Sequence, residues 1–194
     1  MTYGDNVTFK TTAASLPTIN TYAASLVTMN SAKCGGEVLS DGGYPVTSRG
    51  ICWNTTGNST ASQNPVSGGS VLGSFEVQIS GLTSRTTYYV KAFAVSDFGT
   101  KLGSEIVFTT SGLPEVETVE IGGTTPSSVT VVGNVTDDGN TEITERGFCW
   151  GVNPGTTIDG NHSPVSGSTE EFTGTIEELS PASQYYIRAY VSNI

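Results

Sequence analysis

Two stretches of the sequence decide the fold: residues 81–94 read GLTSRTTYYVKAFA, and residues 178–191 read ELSPASQYYIRAYV. In each, a polar turn leads into a run in which every second residue is apolar, as in Tyr88-x-Val90-x-Ala92. Alternation with a period of two predicts a β-strand that buries one face. The two stretches lie 97 positions apart, which predicts that one structural unit occurs twice.

The same offset relates other motifs along the chain. Residues 49–53 (RGICW) recur as residues 146–150 (RGFCW), and the turn signal Asp41-Gly42 recurs as Asp138-Gly139. Turn signals separate short alternating segments throughout, which is typical of a sandwich of about seven strands. We therefore expect two homologous domains, residues 16–111 and 112–194, preceded by a separate segment of residues 1–15.

The composition favours an all-β protein and excludes some partners. Of 194 residues, 29 are Thr, 23 are Ser and 24 are Gly, whereas only 13% are charged. Thr suits strands, and Gly and Ser suit turns. The net charge of −10 argues against nucleic acid, whose binding needs clustered Lys and Arg. No apolar run approaches the ~20 residues of a membrane helix, so we expect no membrane insertion.

Residues 81–94 and 178–191 resemble the end of a fibronectin type III domain. The family's pattern places a tyrosine at the corner that enters the sixth strand, and Tyr88 and Tyr185 match it. The resemblance implies that each hydroxyl bonds to backbone a few residues upstream. The Arg-Gly-x-Cys-Trp block is similar to fibronectin-like repeats of bacterial cell-surface and secreted proteins. It implies two tandem immunoglobulin-like β-sandwiches at the cell surface or outside the cell.

A partial third copy of the repeat opens the chain. Gly4 and Phe9 match Gly103 and Phe108, which lie in the segment that closes the first domain. Residues 1–15 are therefore expected to contain an orphan closing strand. The candidate strand donors in it are Val7, Phe9 and Thr11.

The second domain is expected to lack this closing strand and to expose the edge of its sixth strand. Such an edge recruits another strand. The candidate acceptors are Tyr186, Arg188 and Tyr190. A neighbouring copy of the chain could supply the strand, and head-to-tail contacts of this kind propagate as a filament. Alternatively, the ends are cuts through a longer array, and a neighbouring repeat of the same chain supplies it.

The aromatic residues offer a competing function. Trp53 shares a face with Ile51, and Trp150 shares a face with Phe148, so both tryptophans are expected in the core together with Tyr88 and Tyr185. A carbohydrate-binding or adhesive accessory module, which would bind surface glycans, needs exposed aromatics instead. The better candidates for that role are Tyr22, Tyr44, Tyr89 and Tyr190.

Chemistry-bearing residues are few. The chain has one histidine, His162, in a polar stretch, and we predict neither an enzyme nor a cofactor. Asp137, Asp138 and Asn140 could hold calcium, but an Asp-Gly turn explains them more simply. The three cysteines are expected to be buried thiols, with a Cys34–Cys52 bridge as the alternative. The leading hypothesis is a structural, extracellular repeat protein that forms a stalk or filament.

Overall fold

The chain is all β in this computed structural model, which describes residues 1–11, 13–167 and 170–194. Fourteen strands and no helix occur among those residues, which confirms the predicted fold class. The strands pair in antiparallel sheets. The chain divides into two compact units, Met1–Thr110 and Ser111–Ile194.

The first unit is built from two sheets. Its strands are β1 (Thr18–Thr21), β2 (Ser31–Ser40), β3 (Val46–Asn54), β4 (Val66–Gly69), β5 (Gly73–Ser80), β6 (Thr87–Ser96), β7 (Gly99–Leu102) and β8 (Ile106–Thr109). One sheet has the order β1-β2-β5, and the other has the order β4-β3-β6-β7, with β8 also paired to β6. Alternating residues of both sheets, such as Ile79 and Ile51, bury their side chains in one core between them.

The second unit repeats this arrangement with fewer strands. Its strands are β9 (Glu115–Thr124), β10 (Val129–Asp137), β11 (Ile143–Gly151), β12 (Asn161–Pro164), β13 (Glu170–Ile176) and β14 (Tyr186–Asn193). The sheets have the orders β13-β10-β9 and β12-β11-β14. Val131, Phe148 and Phe172 lie in its core, and the rings of the two phenylalanines are 5.0 Å apart.

The hydrogen bond expected at each tyrosine corner is present. The backbone N–H of Thr83 donates to the Tyr88 hydroxyl at 2.8 Å, and that of Ser180 donates to the Tyr185 hydroxyl at 3.0 Å. In both units the bond spans five residues and ties the turn to the strand that follows it.

One expectation about local structure is wrong: Trp53 and Trp150 are half-buried rather than buried, and each packs against the core of its unit. Residues 1–11 are exposed and form no strand in the single chain. Because a strand obtains its backbone hydrogen bonds from a neighbour, the closing strand expected in this segment stays a prediction that depends on a partner.

Candidate functional site

The closing strand of the first unit shows how the edge of this sandwich is completed. β8 pairs antiparallel with the first half of β6, and Phe108 lies opposite Tyr88. Their rings stack with centroids 5.7 Å apart. The Trp53 ring packs edge-on against the Tyr88 ring, with centroids 5.3 Å apart. Enclosed in this way, Tyr88 is only 3% exposed. The aromatic residue of the closing strand therefore seals the tyrosine corner.

A threonine fastens the end of the closing strand. Thr110 is completely buried, and its hydroxyl donates to the Thr83 carbonyl at 2.6 Å. The same oxygen accepts from the Thr86 N–H at 3.0 Å, and the Thr110 N–H donates to the Thr86 carbonyl at 3.1 Å. One residue thus binds both sides of the turn that precedes β6. We call this set of bonds the threonine latch.

A glycine marks the beginning of the closing segment. The Gly103 N–H donates to the Ala92 carbonyl at 2.9 Å. A Cβ placed on Gly103 would lie 2.5 Å from the Thr21 hydroxyl oxygen, which itself accepts from the Ala92 N–H at 3.0 Å. Since no side chain fits there, the closing segment needs glycine at this position.

In the second unit, no described strand pairs with the matching edge. β14 pairs with β11 on one side, whereas its counterpart β6 has β3 on one side and β7 and β8 on the other. An edge strand of this kind presents a row of unpaired backbone groups to solvent.

An open groove of about 270 Å³ lies beside this edge. Its lining includes Val129, Leu179, Ser180, Ser183, Tyr185 and Ile187. Tyr185 is the counterpart of Tyr88, on which Phe108 stacks in the first unit. We call this feature the β14 groove.

Burial differs between the two units along the edge where the closing strand would lie. Residues of the first unit that are buried beneath β8 have half-exposed counterparts in the second unit. The pairs, buried residue first, are Leu82 and Leu179, Tyr88 and Tyr185, and Val90 and Ile187. By contrast, the core residues Val38 and Val135, away from this edge, are buried in both units. The second unit therefore has a formed core and an apolar strip left open along β14.

The polar partners of the closing segment are also present in the second unit. The Thr118 hydroxyl accepts from the Ala189 N–H at 2.8 Å, which reproduces the bond from Ala92 to Thr21. Ser180 and Ser183 occupy the turn positions of Thr83 and Thr86. The bond from the Ser180 N–H lowers the pKa of the Tyr185 phenol.

The predicted donor residues lie in solvent. Val7 is 93% exposed and Phe9 is 92% exposed, and Thr11 is exposed as well. Two large apolar side chains at alternate positions are costly to leave in water, at about 25 cal/mol per Å² of apolar surface. The structure therefore leaves two apolar features exposed to solvent: the strip along β14, and the segment that carries Val7 and Phe9.

The predicted acceptor residues lie on the outer face of β14 and do not line the groove. Tyr186 and Arg188 are exposed, and Tyr190 donates to the Glu145 carboxylate at 2.6 Å. Burial, followed by this bond and the charge of Glu145, raises the pKa of the Tyr190 phenol. The side chains of the groove are those one position earlier, Tyr185 and Ile187. In the sequence, Tyr185 and Ile187 stand at the positions of Tyr88 and Val90, and this alternation indicates which side chains of β14 face the groove.

The arginine of the repeated Arg-Gly-x-Cys-Trp block has a structural role that sequence reasoning missed. Arg49 is 5% exposed, and its guanidinium donates to the carbonyls of Gly68, Gly73 and Ser74 at 2.7–3.3 Å. It also lies over the Phe75 ring at 4.8 Å. Arg146 makes the corresponding contact with Phe172 at 4.7 Å. The motif therefore marks a buried cation that joins the two sheets.

The remaining candidate residues are accounted for locally. Asp137 and Asp138 each accept a backbone N–H of their own turn, from Gly139 and Asn140. Within residues 1–11, 13–167 and 170–194, no group of three or more His, Cys, Asp or Glu is placed to hold a metal ion. His162 is exposed on β12.

The cysteines and the surface tyrosines have separate surroundings. All three cysteines are free and buried, and burial raises the pKa of the Cys34 thiol to about 11. Tyr44 stacks on Phe98 with centroids 5.9 Å apart. Tyr22 donates to Glu37 at 3.1 Å, and Tyr89 is half-buried on β6.

No protein-family model matches this chain, and no curated protein is similar enough to it to count as a relative. In the described part of the chain, no helix has the length and hydropathy that crossing a bilayer requires.

Proposed function

We propose that this chain is a structural subunit that assembles head to tail into a stalk or filament. In this assembly, residues 7–11 of one copy pair with the free edge of β14 in the next copy. The partner is therefore a second copy of the chain. The resemblance to fibronectin-like repeats of bacterial surface proteins supports an extracellular setting for such an assembly.

The observation that carries the proposal is the match between the β14 groove and the position of Phe108 in the first unit. The first unit shows the completed edge, and the second unit shows the same tyrosine corner and the same turn without the cover. Residues 4–11 share Gly4, Phe9 and Thr11 with residues 103–110, at the positions of Gly103, Phe108 and Thr110. The completed edge of the first unit and the open edge of the second unit lie in one chain, so the first unit itself indicates how a closing strand would pair with β14.

Transferring the pairing of β8 and β6 to the second unit gives an explicit register. Phe9 lies opposite Tyr185, Thr8 opposite Tyr186, and Val7 opposite Ile187, as the matching residues do in the first unit. Val7 and Phe9 then face the groove, whereas Thr8 faces solvent, as Val107 does at 54% exposure.

The outer face is compatible with this register. Lys91 and Glu105 form an ion pair at 3.3 Å across the edge of the first unit. Their counterparts are Arg188 on β14 and Asn6 of the donor segment. A guanidinium opposite an amide carbonyl keeps a hydrogen bond and introduces no clash of like charges. The outer residues therefore add specificity, and the apolar face supplies most of the free energy.

The experiment compares assembly of the wild-type chain with that of Phe9→Ala and Thr8→Ala by sedimentation velocity and electron microscopy. The two variants alter adjacent residues of one exposed segment, but only Phe9 faces the groove. We expect the wild type and Thr8→Ala to form multimers at the same concentration, and Phe9→Ala to stay monomeric.

Three results would contradict the proposal. The first is a wild-type chain that stays monomeric at millimolar concentration. The second is a Phe9→Ala chain that assembles like the wild type. The third is a longer natural polypeptide in which residues after Ile194 occupy the groove.

A further inference from the structure

We infer that the edge of β14 recognises an eight-residue motif, Gly-x-x-Val-x-Phe-x-Thr, in which Gly4 and Thr11 fix the register of the incoming strand. This inference rests on the proposed function, and it adds the residues that determine specificity. Apolar contacts of Val7 and Phe9 alone would tolerate a shift of two residues along the edge, since a shift of two keeps the same face towards the groove. Polar contacts at both ends of the segment remove that freedom.

Thr11 supplies the contact at one end. Its counterpart Thr110 is completely buried and forms the threonine latch with both sides of a turn. The corresponding turn of the second unit is formed by Ser180 and Ser183, both of which line the β14 groove. The latch uses the backbone carbonyl and N–H groups of that turn, so the change from threonine to serine in the turn leaves its partners in place. The Thr11 hydroxyl therefore donates to the Ser180 carbonyl and accepts from the Ser183 N–H.

Gly4 supplies the contact at the other end. Its counterpart Gly103 touches Thr21 so closely that a Cβ does not fit. Thr118 occupies the position of Thr21 and holds the same bond to the strand backbone, from the Ala189 N–H. Any residue larger than glycine at position 4 would therefore strike Thr118. The Gly4 N–H is left to donate to the Ala189 carbonyl, as Gly103 does to Ala92.

The distance between these two contacts makes the recognition selective. A strand rises about 3.3 Å per residue, so the seven steps from Gly4 to Thr11 span about 23 Å. If the strand slips by two residues, both the glycine contact and the latch are lost at once. The carbonyl and N–H groups of the turn, once covered by the slipped strand, then remain without partners, which is the costly outcome for a polar contact.

Binding of a synthetic peptide tests the sequence motif separately from assembly of the chain. The acceptor is the full chain carrying Phe9→Ala, which keeps the β14 groove and cannot donate its own segment. The probe is a fluorescent peptide of residues 3–12 with blocked ends, and the measurement is its anisotropy as acceptor is added. Matched peptides carry Thr11→Val, Gly4→Ala or, as the control, Thr8→Ala.

We expect the wild-type and Thr8→Ala peptides to bind within about threefold of each other, and the Thr11→Val and Gly4→Ala peptides each to bind at least tenfold more weakly. If the wild-type peptide binds but Thr11→Val and Gly4→Ala bind equally well, the motif is wrong while the strand-pairing site stands. If the wild-type peptide does not bind, both the motif and the proposed function are overturned.

Discussion

Replacing Thr110 with valine should destabilise the first unit by about 2–3 kcal/mol. The substitution keeps the shape of the side chain but removes the hydroxyl that donates to Thr83 at 2.6 Å and accepts from Thr86 at 3.0 Å. Each lost bond costs about 1 kcal/mol, and a carbonyl and an N–H left unpaired in a buried site raise that cost. Because Thr110 is fully buried, water cannot readily replace the missing hydroxyl.

Urea unfolding followed by tryptophan fluorescence measures this loss. In a Trp150→Phe background, Trp53 is the only tryptophan and reports on the first unit through its contact with Tyr88. With an m-value of about 1.5 kcal/mol/M, the midpoint should fall by about 1.3–2 M. The control is Thr109→Val, which removes an exposed hydroxyl and should cost under about 0.5 kcal/mol. Equal urea midpoints for Thr110→Val and Thr109→Val would refute the claim that the threonine latch stabilises the first unit.

Three further predictions concern the cores. Trp53→Ala and Trp150→Ala should each cost about 2 kcal/mol in urea unfolding, less than the 3–5 kcal/mol of a fully buried aromatic residue, because both are half-buried. Arg49→Met should cost about 2–4 kcal/mol in the same assay, since three carbonyls lose a charged donor. Between pH 9 and 11 the unfolding free energy should fall, because the Cys34 thiol ionises in the unfolded chain before its folded pKa of about 11; Cys34→Ala should reduce that slope.

Local patterns of the sequence were sufficient to predict the strands and the corners. The period-two runs at Val129 and Tyr88 became β10 and β6, with the apolar positions inside. The turn glycines Gly42 and Gly139 have φ angles of 71° and 73°, which glycine adopts readily. These features depend on a few neighbouring residues, and the repeat gave each of them a second, independent example.

The features that sequence reasoning missed depend on distant residues. The role of Arg49 requires three carbonyls that lie 19–25 residues away, and nothing near the arginine indicates them. The predicted acceptors Tyr186 and Arg188 lie one position from the side chains that line the groove, Tyr185 and Ile187, and on a strand one position exchanges the two faces. Residues 1–11 form no strand because no described strand of the chain pairs with them.

The most direct measurement of strand pairing between copies is a disulfide cross-link at its predicted register. Thr8→Cys and Tyr186→Cys place two thiols opposite each other on the outer face, where paired residues are about 5 Å apart. The native cysteines are buried and should not compete. On mild oxidation, strand pairing at this register should give a ladder of covalent multimers on a denaturing gel. The pair Thr8→Cys and Arg188→Cys, displaced by about 7 Å along the strand, should give far fewer. Monomers alone from the first pair, or equal ladders from both, would contradict strand pairing at this register.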